Sequence, residues 1–353
     1  MSTSIAIAVP IGAFHPLLRD CLASLAAQAS KPVVSVLDAS NDPRTAAVID
    51  EFSSMIAYRR AGKDGGQTAA ILEGWAHAPG DILGWLNADD ALYPQSLSLV
   101  TVSFRDHPDT DVLYGHSVII NDNFETVGYH WAVEPPSEAI LSGCIISQPS
   151  CFFRRKAYEA AGGLDASLHY TMDWDLWTRL WTSGAKFRFE DAVLSRVLWS
   201  REAKTGGFGP ARRRELNRII DAHNPPLRRL KSRFGFGLHH LLEYVAPRSL
   251  ADTVRGARGD GARTIRGVGR NGALTGEAEL PIAYYGPAPA QSVTVHMEVA
   301  QGSWTVMAGD SEAVATASGE TVLPVKTSPG QTTTVRLRGS SGAAARLKSV
   351  RLA

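Results

Sequence analysis

The 353-residue chain has little of what marks several common classes of protein. Its three cysteines, at 21, 144 and 151, form no CxxC pair and no zinc-ligand spacing, so no disulfide framework is expected and a reducing, cytoplasmic setting is. No run approaches the ~18 apolar residues that cross a bilayer. The opening MSTSIAIAVPIGAF has neither the basic region nor the long apolar region of a signal peptide. No G-x-G-x-x-G follows the first apolar run, where PIGAFHP stands instead, which disfavours a dinucleotide-dependent dehydrogenase. Net charge is nearly absent too: 36 Lys and Arg against 35 Asp and Glu leave +1, excluding a uniformly basic nucleic-acid binder.

That near-neutral sum conceals a partition. Residues 1–200 carry a net charge of −9, residues 201–270 a net of +10 and the rest a net of 0. Apolar residues make up 44%, enough for globular cores, and the length suits two domains of ~100–200 residues each. The expected division is a first domain at 1–205, a basic helical arm and linker at 206–272, and a small all-β domain at 273–353.

The first part alternates between two periods. IAIAV at 5–9 is a continuous apolar run, and Leu18, Cys21, Leu22 and Leu25 follow at helical spacing. The pair recurs as VVSVLDAS at 33–40 with a helix over 43–54, and as MIAYRR at 55–60 with a helix over 67–78, before DILGWL at 81–86. Such alternation implies a Rossmann-like α/β fold, a largely parallel sheet covered by helices on both faces. Runs at 112–121 and 127–133, and two short ones within 186–198, make the sheet mixed. Ligands of such sheets gather beyond the carboxyl ends of the strands, which directs attention to Asp38, Asp64, Asp89 and Asp90.

The last two are adjacent. Neighbouring carboxylates at a strand end repel each other unless a cation compensates them, and a hard divalent ion does so well when a diphosphate supplies further oxygens. On its own the string NADD also describes a solvated turn that caps the next helix. Its surroundings are more specific. Asp64, Gly66 and Gln67 lead into a helix, Asn87, Asp89 and Asp90 end a strand, Gln148, Phe152 and Arg154 mark another strand, and Asp173 to Trp177 read D-W-D-L-W. With Pro10 and Asp38 after the first two strands, these six elements occur in an order that resembles glycosyltransferase family 2, the inverting enzymes of the GT-A fold, over residues 3–200.

The resemblance implies a role for each matching position. Pro10, Asp38, Asp64, Gln67 and Asn87 would bind the donor nucleotide, since carboxylates suit the N–H of a base and the hydroxyls of a ribose. Asp89 would face a divalent metal, Mn2+ or Mg2+, and the donor diphosphate; Asp90 would join it or cap the following helix. Asn87 stands where many relatives have Asp, so one negative charge is missing. Asp173 aligns with the base that deprotonates the acceptor hydroxyl, with Asp175 as the competing carboxylate or helix cap. Gln148, Arg154, Trp174 and Asp175 would line the acceptor side. Arg154 also fits a solvated basic pair with Arg155, and Trp174 with Trp177 fits core packing at helical spacing. The implied reaction moves a sugar from a UDP- or GDP-sugar to a glycan, a lipid-linked saccharide or a polysaccharide. A non-catalytic nucleotide-sugar sensor or scaffold is the alternative that Asn87 leaves open.

Residues 225–250 mix cationic side chains with Phe234, Phe236, Leu238, Leu241, Leu242 and Tyr244. Two readings stand. One is an amphipathic helix on the inner, anionic face of the cell membrane, which would make the protein peripheral; the other is a helix packed on the first domain with its charges solvated. No nucleic-acid reading motif accompanies the basic stretch. Beyond 273, short alternating runs such as SVTVHMEVA and TTTVRLRG, separated by Gly, Pro and Ser, imply a small β-sandwich. Trp304, Tyr284 and Tyr285 suit either sugar stacking or its core, and the domain suits glycan binding or assembly of a homo-oligomer.

Overall fold

A computed structural model describes residues 3–130, 136–199, 209–241, 264–269 and 272–353. The chain divides into two compact units, Met1–Ser117 with Trp131–Val197 and Arg201–Gly235, and Val118–His130 with Leu198–Ser200 and Phe236–Ala353.

The first unit opens with the expected repetition: β1 (Ile5–Ile11), α1 (Leu18–Ala26), β2 (Val33–Asp38), α2 (Pro43–Glu51), β3 (Ile56–Ala61), α3 (Gln67–His77), β4 (Ile82–Trp85), β5 (Ala91–Leu92) and α4 (Ser96–Asp106). Along the chain there follow β6 (Val112–Ile120), β7 (Thr126–Tyr129), which belongs to the second unit, β8 (Cys151–Arg154), α5 (Arg155–Ala160), α6 (Met172–Thr182) and β9 (Phe187–Leu198). Every residue of β1 is buried. Strand alternation sends Ile5, Ile7 and Val9 to one face, against Leu18, Leu22 and Leu25 of α1 and Leu97, Val100 and Phe104 of α4. Ala6 and Ala8 face the other way, toward Ile71 and Trp75 of α3 and Leu176, Trp177 and Leu180 of α6.

Small residues on that second face let α3 approach closely. A Cβ at Gly74 would stand 2.9 Å from Leu37 and 3.0 Å from Ala8, and Ser35 Oγ donates to Gly74 O at 2.9 Å. Full burial of a leucine- or phenylalanine-sized side chain contributes ~1.5–3 kcal/mol, so a core on both faces fixes β1 at the centre of the sheet.

The strand order is β3–β2–β1–β4–β8–β6. The first four are parallel, and β8 runs antiparallel to both β4 and β6. Ile11 is level with Asp38, and Asp38 with Ala61, so the ends of β1, β2 and β3 reach one edge together. The two short runs expected within 186–198 are one twelve-residue strand, β9, because FRFEDAVLSRVL has no Gly or Pro to interrupt it.

The first unit also continues past the boundary expected at 205. Helix α7 (Pro210–His223) buries Leu216, Ile219 and Ile220. Arg218 pairs with Asp165 at 2.8 Å, and Asn224 Nδ2 donates to Leu141 O at 2.5 Å. This stretch of the basic arm is therefore a packed helix, followed by α8 (Pro226–His240). Leu242, Tyr244 and most of the expected linker lie outside the described residues. Among the described residues no helix is long and apolar enough to cross a membrane.

The second unit is built of β10 (Thr264–Ile265), β11 (Val268–Gly269), β12 (Ala273–Leu274), β13 (Glu277–Tyr284), β14 (Ala290–Gln301), β15 (Trp304–Ala308), β16 (Ser311–Ala315), β17 (Gly319–Thr327), β18 (Gln331–Gly339) and β19 (Ala344–Leu352). A small antiparallel sheet has the order β13–β18–β15–β16, while β14 pairs with β17 and β19. The hairpin strand β7 joins this unit by pairing with β19, Thr126 opposite Val350, and Tyr129 Oη donates to Glu279 O at 2.7 Å. Trp304 and Tyr285 are buried, so they belong to the core of the β unit and offer no exposed platform for a sugar.

Candidate active site

Three of the expected segments meet beyond the carboxyl ends of β3, β1 and β4. Asn87, just past β4, is their hub. Its Oδ1 accepts from Gln67 Nε2 at 2.7 Å, and its Nδ2 donates to Asp90 Oδ2 at 3.2 Å and to Gln148 Oε1 at 3.3 Å. Gln148 Nε2 donates back to Trp85 O at 2.8 Å. An amide can donate and accept at once, and an aspartate at position 87 could not make the two donations. The charge missing at this position is thus replaced by a side chain that ties the start of α3 to the segment before β8. That segment is fixed from behind by four buried hydroxyls: Ser117 Oγ lies 2.6 Å from Ser147 Oγ and 2.7 Å from those of Ser150 and Ser195.

Asp38 and Asp64 occupy the same edge. Asp38 is buried, and its Oδ1 accepts from Ser40 N at 2.8 Å and Ser40 Oγ at 2.6 Å; Oδ2 makes no hydrogen bond among the described residues. Asp64 Oδ2 accepts from Arg60 Nη2 at 2.8 Å and Oδ1 from Gly66 N at 2.8 Å. Gly66 has φ of 101°, a left-handed conformation that a side chain disfavours, and it aims the chain into α3. Pro10 is buried within β1; the exposed Gly12 and Ala13 follow it at the sheet edge.

Asp89 and Asp90 differ in environment. Asp90 is buried and engaged by Asn87. Asp89 is half-buried and makes no side-chain hydrogen bond or ion pair among the described residues. Both charges reach Cys21 of α1, whose thiol is pushed up first by burial, then by Asp90 and Asp89. No group of three His, Cys, Asp or Glu side chains that could hold a metal occurs among the described residues. One uncommitted carboxylate beside a second suits a hard cation that takes most of its oxygens from a bound diphosphate and water, but not an all-protein cage.

Asp173 lies in the first turn of α6. The start of this helix is joined to α3, beside the Asp64–Gln67 segment, by the contact of Thr68 Oγ1 with Met172 Sδ at 3.0 Å. Burial raises the pKa of the Asp173 carboxyl; the N–H of Trp174, donated to its Oδ1 at 2.8 Å, and the positive charge of Arg212 oppose the rise. The segment entering α6 is held by Glu215 of α7. Glu215 accepts from His169 N at 3.0 Å, Tyr170 N at 2.8 Å and Thr171 Oγ1 at 3.1 Å. Glu215 and Arg212 sit one helical turn apart in a segment that composition marked only as basic, so neither stood out in the sequence.

Three of the residues expected on the acceptor side are committed elsewhere. Arg154 is opposite Ile82, at the start of β4, because β8 runs antiparallel; it therefore lies at the sheet edge away from Asn87. It is buried and donates to Thr110 O, Phe104 O and Pro108 O at 2.7, 3.1 and 3.1 Å. Trp174 is buried with Nε1 donating to Ile140 O at 2.6 Å, which makes it a core residue. Asp175 forms an ion pair with Arg179 at 2.7 Å one turn along α6. Gln148 remains at the site.

Residues 9–162 match the family described as glycosyl transferase family 2. The chain is 26% identical over 212 residues to an uncharacterised glycosyltransferase of Rickettsia typhi, an alignment covering 56% of this chain and 64% of the relative. It is 30% identical over 176 residues to an O-antigen biosynthesis protein of Myxococcus xanthus, covering 48% of this chain and 14% of that one. The chain thus spans less than two-thirds of either relative's length. Among solved structures, that of S. aureus TarS 1–349 in complex with UDP-GlcNAc superposes with a TM-score of 0.52 at 14% identity, covering 68% of this chain and 73% of the other. This likeness shows a shared fold, a mixed α/β sheet flanked by helices of the GT-A kind.

Proposed function

We propose that the carboxyl edge of the β3–β2–β1–β4 sheet binds a nucleotide-sugar, a UDP- or GDP-sugar, and that the chain transfers the sugar with inversion to a glycan, lipid-linked saccharide or polysaccharide. The observation that carries this reading is the junction at Asn87, which brings Gln67, Asp90 and Gln148 together beside the uncommitted carboxylate of Asp89. Asp38 Oδ2 and the Asp64 carboxylate supply acceptors for a base N–H or ribose hydroxyls. When bound, a divalent cation supplies charge neutralisation to the departing diphosphate; Asp89, with Asp90 beside it, would hold it.

In the transfer step an acceptor hydroxyl oxygen forms the new bond to the anomeric carbon. The bond from that carbon to the diphosphate oxygen breaks, and its electron pair leaves with the nucleoside diphosphate. The hydroxyl proton passes to Asp173. A carboxyl raised by burial is a stronger base than an ordinary one; the Trp174 N–H and, after it, the charge of Arg212 oppose the rise. The family match over residues 9–162 and the UDP-GlcNAc held by a protein of the same fold support the donor class.

The test is nucleoside diphosphate release from a panel of UDP- and GDP-sugars with and without Mn2+, in the parent and in Asp173→Asn. Turnover with at least one donor, lowered by about 10²–10⁴-fold in the variant, is expected for loss of a general base. Equal turnover in the two proteins would remove Asp173 from the mechanism.

A further inference from the structure

One side of helix α8 turns polar side chains toward the protein: Ser232 is buried, Arg229 Nε donates to Asn224 O at 2.6 Å, and Arg228 pairs with Glu138 at 3.1 Å. Three of its large apolar side chains face water, while Phe236 and Leu238 are half-buried. Leu227 is 80% exposed, Leu230 68% and Phe234 69%, and Leu241, one residue past the helix, is 48% exposed. At about 100° per residue, positions 227, 230 and 234 fall within a ~60° arc, a stripe of about 10 Å along the axis. Ordinary folding leaves no reason to expose three such side chains in a row on one helix.

The charge around the stripe selects its occupant. Lys231 is exposed beside it with no side-chain partner among the described residues, and Arg233 on its other flank pairs only with the exposed Asp221, at 2.6 Å. Arg213 and Arg214 of α7 are exposed as well, and residues 226–241 hold four Lys or Arg and no Asp or Glu. Two copies of the chain meeting stripe to stripe would bring these like charges together. An anionic lipid surface would instead attract them while the leucines and phenylalanine enter the boundary between headgroups and acyl chains.

We propose that α8 is an interfacial helix that seats this protein on an anionic bilayer, with Leu227, Leu230 and Phe234 inserted and Lys231 and Arg233 at headgroup level. This rests on the exposure and charge of α8 alone, and stands whether or not the donor site is read correctly.

The experiment is cosedimentation of the full chain with phosphatidylcholine vesicles and with vesicles containing one-third phosphatidylglycerol. Binding should be at least about tenfold tighter to the anionic vesicles and should fall as salt rises, each basic side chain near the surface contributing about fivefold. Leu227→Gln, Leu230→Gln and Phe234→Gln together should abolish it with circular dichroism unchanged, since all three side chains lie in solvent. Lys231→Glu should weaken it about fivefold or more. The proposal is overturned if the parent stays in the supernatant with both vesicles, or if the triple variant sediments as the parent does. It is equally overturned if the parent is a concentration-dependent dimer that the triple variant dissociates and lipid leaves unaffected.

Discussion

Replacing Glu215 by alanine removes the three hydrogen bonds that hold residues 169–171 at the entrance to α6. Two of them join backbone N–H groups to a carboxylate, a class that contributes about 1.5–3 kcal/mol each when well buried. Glu215 is half-buried, so water replaces part of what is lost, and a destabilisation of about 2–3 kcal/mol is expected. For a unit of this size that lowers the melting midpoint by roughly 4–12 °C. The larger consequence is kinetic. Asp173 begins two residues beyond the clamp, and a misplacement of about 1 Å at a reacting group is enough for a ~10²-fold loss of rate. Glu215→Gln keeps one acceptor oxygen and should fall between parent and alanine in both measurements. The assays are a thermal melt and donor turnover at saturating sugar nucleotide. An alanine variant with parental midpoint and parental kcat would refute the role given to α7.

Other outcomes follow from the same geometry. Because burial raises the Asp173 pKa, the folded chain keeps that proton to higher pH than the unfolded chain, so stability falls as pH rises from the ordinary carboxylate range through the raised value. Asp173→Asn should therefore be more stable than the parent at neutral pH and match it in acid, which denaturant titrations at both pH values would check, and the parent's kcat/KM should fall on the acid side as Asp173 gains its proton. Asp89→Ala loses no side-chain hydrogen bond among the described residues, so its stability should stay within about 0.5 kcal/mol of the parent. It should nevertheless lose the added thermal stabilisation that Mn2+ gives in the presence of a sugar nucleotide, read by a thermal-shift assay. Arg154→Met breaks three bonds to carbonyls, two of them on the buried Phe104 and Thr110, and should cost about 3 kcal/mol or more in a denaturant titration, with kcat/KM per folded molecule unchanged.

The parallel half of the fold is legible in the sequence because each strand there is a short apolar run and each helix has its own period. Asp38, Asp64 and the residues after Trp85 could be placed at one edge from that alone, since parallel strands end together. Arg154 could not be placed in this way. Its side of the sheet depends on the direction of β8, and no local pattern states whether a strand runs with or against its neighbour. Trp174 and Trp177 of α6 fit core and cleft equally well by spacing, and for Trp174 its burial and the bond to Ile140 O decide. Glu215 lies 42 positions after Asp173 among arginines, where the Leu216, Ile219 and Ile220 face that packs α7 was masked by the surrounding charge. The pairing of Thr126 with Val350 joins segments more than 200 residues apart, and neither strand announces its partner.

Hydrogen exchange with and without a sugar nucleotide and Mn2+ bears most directly on the central claim, that residues distant in sequence form one donor site at the carboxyl edge of β1, β2 and β4. Slower exchange on donor binding is predicted across residues 38–41, 62–68 and 86–91, with a further effect at 169–174. Protection confined to residues 264–353, or no protection anywhere by a donor that the protein turns over, would contradict it.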